Sequence, residues 1–181
     1  MLTILEPGRW LSTLRLAIFA PFVAVLAWTP AVKAEVISIA AAGFVQHCPC
    51  PPGGFSGAVD RGVLVTEGQA TYFAAVDFPV NGRKICSFSM VYQDINGADT
   101  MTARLLRKTF AVGGNVFNNP VEIAKLNSAA GVVNTVRKET AVLLTPPSVN
   151  DNNASYYVEV AMPTINLNLI GVQIDHRTAC P

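Results

Sequence analysis

Hydrophobic and polar residues alternate through most of the chain beyond residue 70, the two-residue period of strands that bury one face. In "TYFAAVDF" (71–78) the alternation sets Tyr72, Ala74, Val76 and Phe78 on one side. "CSFSMVYQ" (86–93) does the same with Phe88, Met90 and Tyr92, leaving Ser87, Ser89 and Gln93 mainly on the other. "TMTARLLRK" (100–108) opposes Met101, Ala103 and Leu105 to Thr102, Arg104 and Lys108. "SYYVEVAMP" (155–163) opposes Tyr156, Val158, Val160 and Met162 to Tyr157, Glu159 and Ala161. "IGVQIDH" (170–176) directs Ile170, Val172 and Ile174 inward, with Gln173 and Asp175 toward water. Weaker runs at Val36–Val45, Val121–Asn127 and Val132–Leu143 complete about eight strands. A short helix competes with a strand only in "PVEIAKLNSAAG" (120–131).

Between the runs stand Asn, Gly, Asp and Pro clusters such as "VNGRK", "DINGAD" and "TPPSVNDNN", which supply turn geometries that strands do not adopt. The expected fold is therefore all-β: a single antiparallel two-sheet sandwich of jelly-roll type, cross-linked by disulfides.

The first 34 residues read differently. Arg9 and Arg15 precede the apolar run "LAIFAPFVAVLAW" (16–28), which Pro21 interrupts and which is too short to cross a bilayer unaided. Val32 and Ala34 occupy the positions a signal peptidase reads, so residues 1–34 are expected to be a cleaved signal peptide and 35–181 the sandwich domain. The rival, an uncleaved anchor, lacks a long enough span, and no membrane span is expected after cleavage. Losing Arg9, Arg15, Lys33 and Glu6 moves the formal charge from +1 to −1. A near-neutral chain without a basic cluster has no footprint for nucleic acid. A secreted or periplasmic location follows, and there the even set Cys48, Cys50, Cys86 and Cys180 is expected to form disulfides.

Four cysteines allow three pairings. A Cys48–Cys50 bridge closes a small strained ring. Against that, an antiparallel pairing of the last strand with the Cys86 strand would bring Cys86 to Cys180. The two arguments pull apart, and the pairing stays open at this level.

"FSMVYQDINGADTMTARLLRK" and "YYVEVAMPTINLNLIGVQIDH" resemble uncharacterised exported β-sandwich proteins of bacteria. There a V-Y-x-D hairpin leads into a T-x-R-L-x-R strand, and a late Y-Y-x-E/R-V strand precedes a final G-V-x-I strand. The resemblance covers roughly the last two-thirds of residues 35–181. It implies a sandwich and carries over no catalytic residue.

Candidate chemistry is sparse. His47, Cys48 and Cys50 are suitable transition-metal ligands, but a closed zinc site wants four ligands in two separated pairs. Asp94, Asn96 and Asp99 are hard-oxygen ligands for calcium, yet the loop lacks the EF-hand register, and Asn96–Gly97 reads as a hairpin turn. Ser56 stands in "GGFSGAVDRG", where a nucleophile elbow would need glycine rather than Ala58. His176, at the end of the last strand, is expected to be solvated or hydrogen-bonded at the rim. Glycan sites favour flat aromatic platforms, but both tryptophans, Trp10 and Trp28, fall in the leader, and Tyr157 is the one tyrosine turned outward. "NAS" at Asn153 fits a glycosylation acceptor that bacteria rarely read.

No cofactor is expected and no catalytic residue is assigned. The reading is an exported, non-enzymatic binding or interaction module of the bacterial cell envelope or secretome. Its partner is a protein or a glycan, met through loops and edge strands, with "SIAAAGFV" (38–45) and the edges within Val121–Leu143 open to strand addition. The alternative is a carbohydrate- or calcium-dependent ligand-binding domain. A hydrolase using Ser56 comes third.

Overall fold

The computed structural model describes residues 34–47, 57–66, 68–95, 97–110, 119–131 and 133–181. The expected leader up to residue 33, Cys48, Cys50, Ser56 and Asn96 lie outside the described residues. The strands are β1 (Glu35–Ala40), β2 (Val45–Gln46), β3 (Gly57–Asp60), β4 (Val63–Thr66), β5 (Ala70–Val76), β6 (Lys84–Asp94), β7 (Thr102–Thr109), β8 (Val121–Asn127), β9 (Val133–Val142), β10 (Ala154–Met162) and β11 (Leu167–Arg177).

They form two antiparallel sheets. Sheet one runs β3-β4-β11-β6-β9, with β1 also paired to β11; sheet two runs β2-β5-β10-β7-β8. Because β6 takes one edge of β11, β1 and β4 share the other, β1 along residues 171–176 and β4 at 168–169. With β1, β2 and β3 set aside and β4 counted as the first strand, the orders are 1-8-3-6 and 2-7-4-5, the jelly-roll arrangement. The fold is the all-β sandwich expected from the alternation. Tyr72, Phe88, Met90, Tyr92, Leu105, Val158 and Ile174 from the two inner faces meet in one core, closed by Phe44, Phe78 and Met101.

Several expectations need correction. The run Val36–Val45 is not one strand: a 3-10 turn at Ala41–Gly43 carries the chain from sheet one to sheet two, and Ala41 and Phe44 bury themselves in the core at the crossing. The Pro/Gly-rich loop expected around Ser56 gives way at Gly57 to a hairpin, β3–β4. Arg61 (φ 49°) and Gly62 (φ 81°) both adopt the left-handed backbone that a two-residue turn between twisted strands requires. The segment after Asp94 is not a hairpin, because β6 and β7 belong to different sheets. "PVEIAKLN" resolves in favour of a strand, β8.

Ile170 is half-buried and outside the core. The β6–β11 register shifts between Leu169 and Gly171, and the extra residue takes Ile170 out of phase with Val172 and Ile174.

At one rim β6 begins and β11 ends, and Cys86 and Cys180 are joined with their Cα atoms 5.3 Å apart. The antiparallel register, Lys84 opposite Arg177, brings them together. His176, expected at the rim as a solvated or hydrogen-bonded residue, is not solvated: it is 1% exposed. Its ring stands edge-on to Phe78 with centroids 5.4 Å apart. Its Nδ1 is buried without a hydrogen-bond partner among the described residues. β1 places Glu35 opposite it, and Glu35 is engaged by Arg83 at 2.8 Å.

Burial, reinforced by the Arg83 charge and only partly offset by Glu35 and Asp175, holds the imidazole pKa below its ordinary value. The unfolded chain therefore takes up a proton that the folded chain resists. The His176 contribution to stability is complete above pH ~6.5 and is lost progressively as pH falls below that value, through the depressed folded one. Urea midpoints measured from pH 8 to 5 should fall in this window, and the fall should flatten in His176→Gln. Equal slopes in the two proteins would assign the loss to other groups.

Candidate ligand-binding face

Among the described residues the inner faces of the two sheets pack into one core, which leaves loops, edges and the outer faces for a ligand. On sheet two the period-two pattern that buries Tyr72 and Ala74 turns Phe73 outward on β5, and the pattern that buries Tyr156 and Val158 turns Tyr157 and Glu159 outward on β10. Cross-strand register sets these side chains in rows. Val45, Phe73, Glu159, Arg104 and Lys125 lie opposite one another across β2, β5, β10, β7 and β8. The neighbouring row is Ala75, Tyr157, Leu106 and Glu122.

An aromatic line crosses the rows. His47, at the end of β2, donates its backbone N–H to the Thr71 carbonyl at 2.7 Å, and its ring stands edge-on to Phe73 at 5.2 Å. Phe73 in turn lies 5.9 Å from Tyr157, tilted by 51°. Val45 extends the apolar line at one end, 72% exposed. At the other end Leu106 is buried on this outer face and takes no part in the inner core.

Polar groups flank that line. Arg104 stands between Glu122 and Glu159, 3.6 Å from each carboxylate. Those distances are too long for strong hydrogen bonds, and the buried Arg104 Nε, ion-paired to Glu122, has no hydrogen-bond partner among the described residues. Burial, with the Glu159 charge adding to it, raises the Tyr157 pKa, so its hydroxyl stays a donor at neutral pH. The face thus offers a stripe of aromatic and aliphatic surface beside a guanidinium that two carboxylates engage at 3.6 Å. Such a combination suits a ligand with apolar faces and many hydroxyls.

The sequence-derived candidates are dispersed. Among the metal candidates, His47 is exposed on the aromatic line, while Cys48 and Cys50 lie outside the described residues. Asp94 is fully buried at the end of β6, where its Oδ2 accepts the Ser128 hydroxyl at 2.8 Å; that oxygen of Ser128 accepts the Met101 N–H at 2.9 Å. Asp99 is exposed in the loop beyond, and Asn96 lies outside the described residues. Among the described residues no three His, Cys, Asp or Glu side chains cluster as metal ligands would. Asn153 is exposed in the turn before β10, where its carbonyl accepts the Phe110 N–H.

Sequence reasoning singles out Tyr157, and His47 as a metal ligand rather than part of an aromatic line, but not Phe73 or the Arg104 pairs around it. The available signal was an aromatic in the polar phase of "TYFAAV". Which strand lies beside it depends on sheet order, which alternation does not encode.

No protein-family profile matches the chain, and no curated protein matches it in sequence. Solved structures that align with the chain include carbohydrate-binding modules. A CBM36-1 domain of a multidomain xylanase from the hindgut metagenome of Trinervitermes trinervoides aligns over 78% of this chain and 96% of its own, at 10% identity and a TM-score of 0.43. A GH26-CBM35 β-(1,4)-mannanase of Podospora anserina aligns over 81% of this chain, at 12% identity and a TM-score of 0.45. The Clostridium thermocellum xylanase 10B CBM22-1-GH10 modules, complexed with xylohexaose, align over 80%, at 15% identity and a TM-score of 0.47. This chain spans 28% of each of the last two.

Proposed function

We propose that this protein is a non-catalytic carbohydrate-binding module that works outside the cytoplasm, with its glycan on the outer face of sheet two. The His47–Phe73–Tyr157 line beside Arg104 carries the reading. The aromatic and aliphatic stripe stacks on the apolar faces of sugar rings, while Arg104, Glu159 and Glu122 exchange hydrogen bonds with hydroxyls. The Cys86–Cys180 bridge supports a secreted or periplasmic location, because disulfides persist in oxidising compartments. A calcium requirement is not part of the proposal, since Asp94 is committed to Ser128 inside the protein.

The test is a panel of soluble polysaccharides in affinity electrophoresis, followed by calorimetry on any that retard the protein. Phe73→Ala and Tyr157→Ala should each weaken binding about tenfold or more while leaving the melting temperature nearly unchanged. Arg104→Met should cost about 10- to 100-fold through lost charge-assisted hydrogen bonds. If no glycan at millimolar concentration binds or raises the melting temperature, the reading fails. Turnover of any of these polysaccharides would sink its non-catalytic half.

A further inference from the structure

β9 is the edge of sheet one, and among the described residues nothing pairs with its far side. Edge strands are usually blunted by charged side chains, prolines, bulges or short length. β9 carries the charges of Arg137, Lys138 and Glu139 and an irregularity before Arg137, but it has ten residues and no proline, and its ladder with β6 is regular from Arg137 to Val142. The ladder continues through Leu143, whose N–H reaches the Cys86 carbonyl at 2.9 Å. Val142 is 70% exposed and Leu144 94%. A regular, unpaired segment with apolar side chains in water is a template for another strand.

We infer that the partner is β9 of a second copy of this chain, paired antiparallel about a two-fold axis at Thr140. The hydrogen-bonding parity limits the choices. Leu143 points its N–H toward β6, so by alternation Ala141, Glu139 and Arg137 do too, and Lys138, Thr140 and Val142 offer theirs to the free edge. Two copies can therefore meet only with even positions opposite even. A two-fold centred on Arg137, Lys138 or Glu139 opposes two like charges, which destabilises a sheet. A two-fold at Ala141 shortens the ladder.

Centred on Thr140, the middle of the regular segment 137–143, every position finds a compatible neighbour. Thr140 faces Thr140, Lys138 lays its aliphatic stem against Val142, Glu139 faces Ala141 and Arg137 faces Leu143. The Lys138 ammonium is already drawn back across its own sheet, donating to Gln173 Oε1 at 2.6 Å. An axis perpendicular to the sheet keeps the second sheets of both copies on one side. Under the ligand reading above, two binding faces then address one surface and gain avidity. The pairing does not depend on that reading, and its test uses no ligand.

A ladder of this length is a small interface, so the dimer should be weak and concentration-dependent. Sedimentation equilibrium of the exported protein should show mass rising from one chain toward two as concentration approaches millimolar. Val142→Pro removes an N–H that points to the free edge and costs no bond to β6, so it should keep the protein folded and monomeric throughout. Thr140 opposite Thr140 forms a hydrogen-bonded pair with Cα atoms about 5.5 Å apart, within disulfide reach. Thr140→Cys should thus cross-link two copies under air oxidation, whereas Val142→Cys, four residues out of register with itself, should not. A strict monomer at every concentration, or equal cross-linking of both cysteine variants, overturns the proposal. So does a dimer that Val142→Pro leaves intact.

Discussion

Replacing Cys86 and Cys180 together by alanine should destabilise the protein by about 3–5 kcal/mol. The bridge spans 94 positions, so it removes a large share of the unfolded chain's freedom while joining groups the β6–β11 ladder already holds together. The folded state needs little distortion to form it, and the chain-entropy gain should survive nearly whole. Cys86 is also buried, so the double variant loses some sulfur packing as well. Urea unfolding of the oxidised wild type and the double variant measures the difference, provided both show the same slope and a single transition. Hydrogen exchange should locate the added opening at the start of β6 and the end of β11. A loss below about 1 kcal/mol would mean that the unfolded chain is already compact at this end.

The same rim shows how far the amino-acid pattern carries. A period of two, applied to the segment holding Ile170, Val172 and Ile174, puts His176 on the inner side. The expectation of a solvated residue came from treating 176 as a strand end, whereas β11 continues to Arg177. The alternation was sound at that position, and the assumed boundary was wrong. Ile170 fails for the opposite reason: its strand was read correctly, but a bulge inserts one residue and breaks the phase. The β3–β4 hairpin is not legible in the pattern because Arg61 takes a left-handed conformation more typical of Asn or Gly, so "DRG" does not announce a two-residue turn.

The inner rows, by contrast, were legible because burial imposes its period over seven or more residues in β5, β6, β7 and β10. The outer face of sheet two had no such redundancy. Phe73 and Tyr157 are neighbours only because β5 lies beside β10, a pairing across 84 positions that depends on the jelly-roll order.

Gly171 carries the second large effect. A Cβ built there would lie 2.5 Å from the Ile39 carbonyl oxygen and 3.3 Å from the Ala40 Cα. Both are backbone atoms of β1, which is tied to β11 by the register Ala40 opposite Gly171. A flexible side chain could swing aside, but here the strand itself must retreat by most of an ångström. Ile37 and Ile39 pack from β1 against the core, so the retreat withdraws apolar contacts and stretches ladder hydrogen bonds together. Gly171→Ala should therefore cost about 1–3 kcal/mol, and Gly171→Val more, because overpacking is relieved here only by moving backbone. The chain enters sheet two through the turn at Ala41–Gly43, directly after β1. The displacement should consequently reach β2 and the His47 ring beside Phe73. Two measurements separate a local from a propagated effect: urea midpoints of the variants, and exchange protection of the His47 amide that bonds Thr71. A loss of protection at His47 with Gly171→Ala, and not with an equally destabilising substitution in β7, would tie the order of the binding face to the fit of β1. If Gly171→Ala matches the wild type in stability, β1 is free to shift without loss, and its contribution to the core is smaller than the contacts of Ile37 and Ile39 indicate.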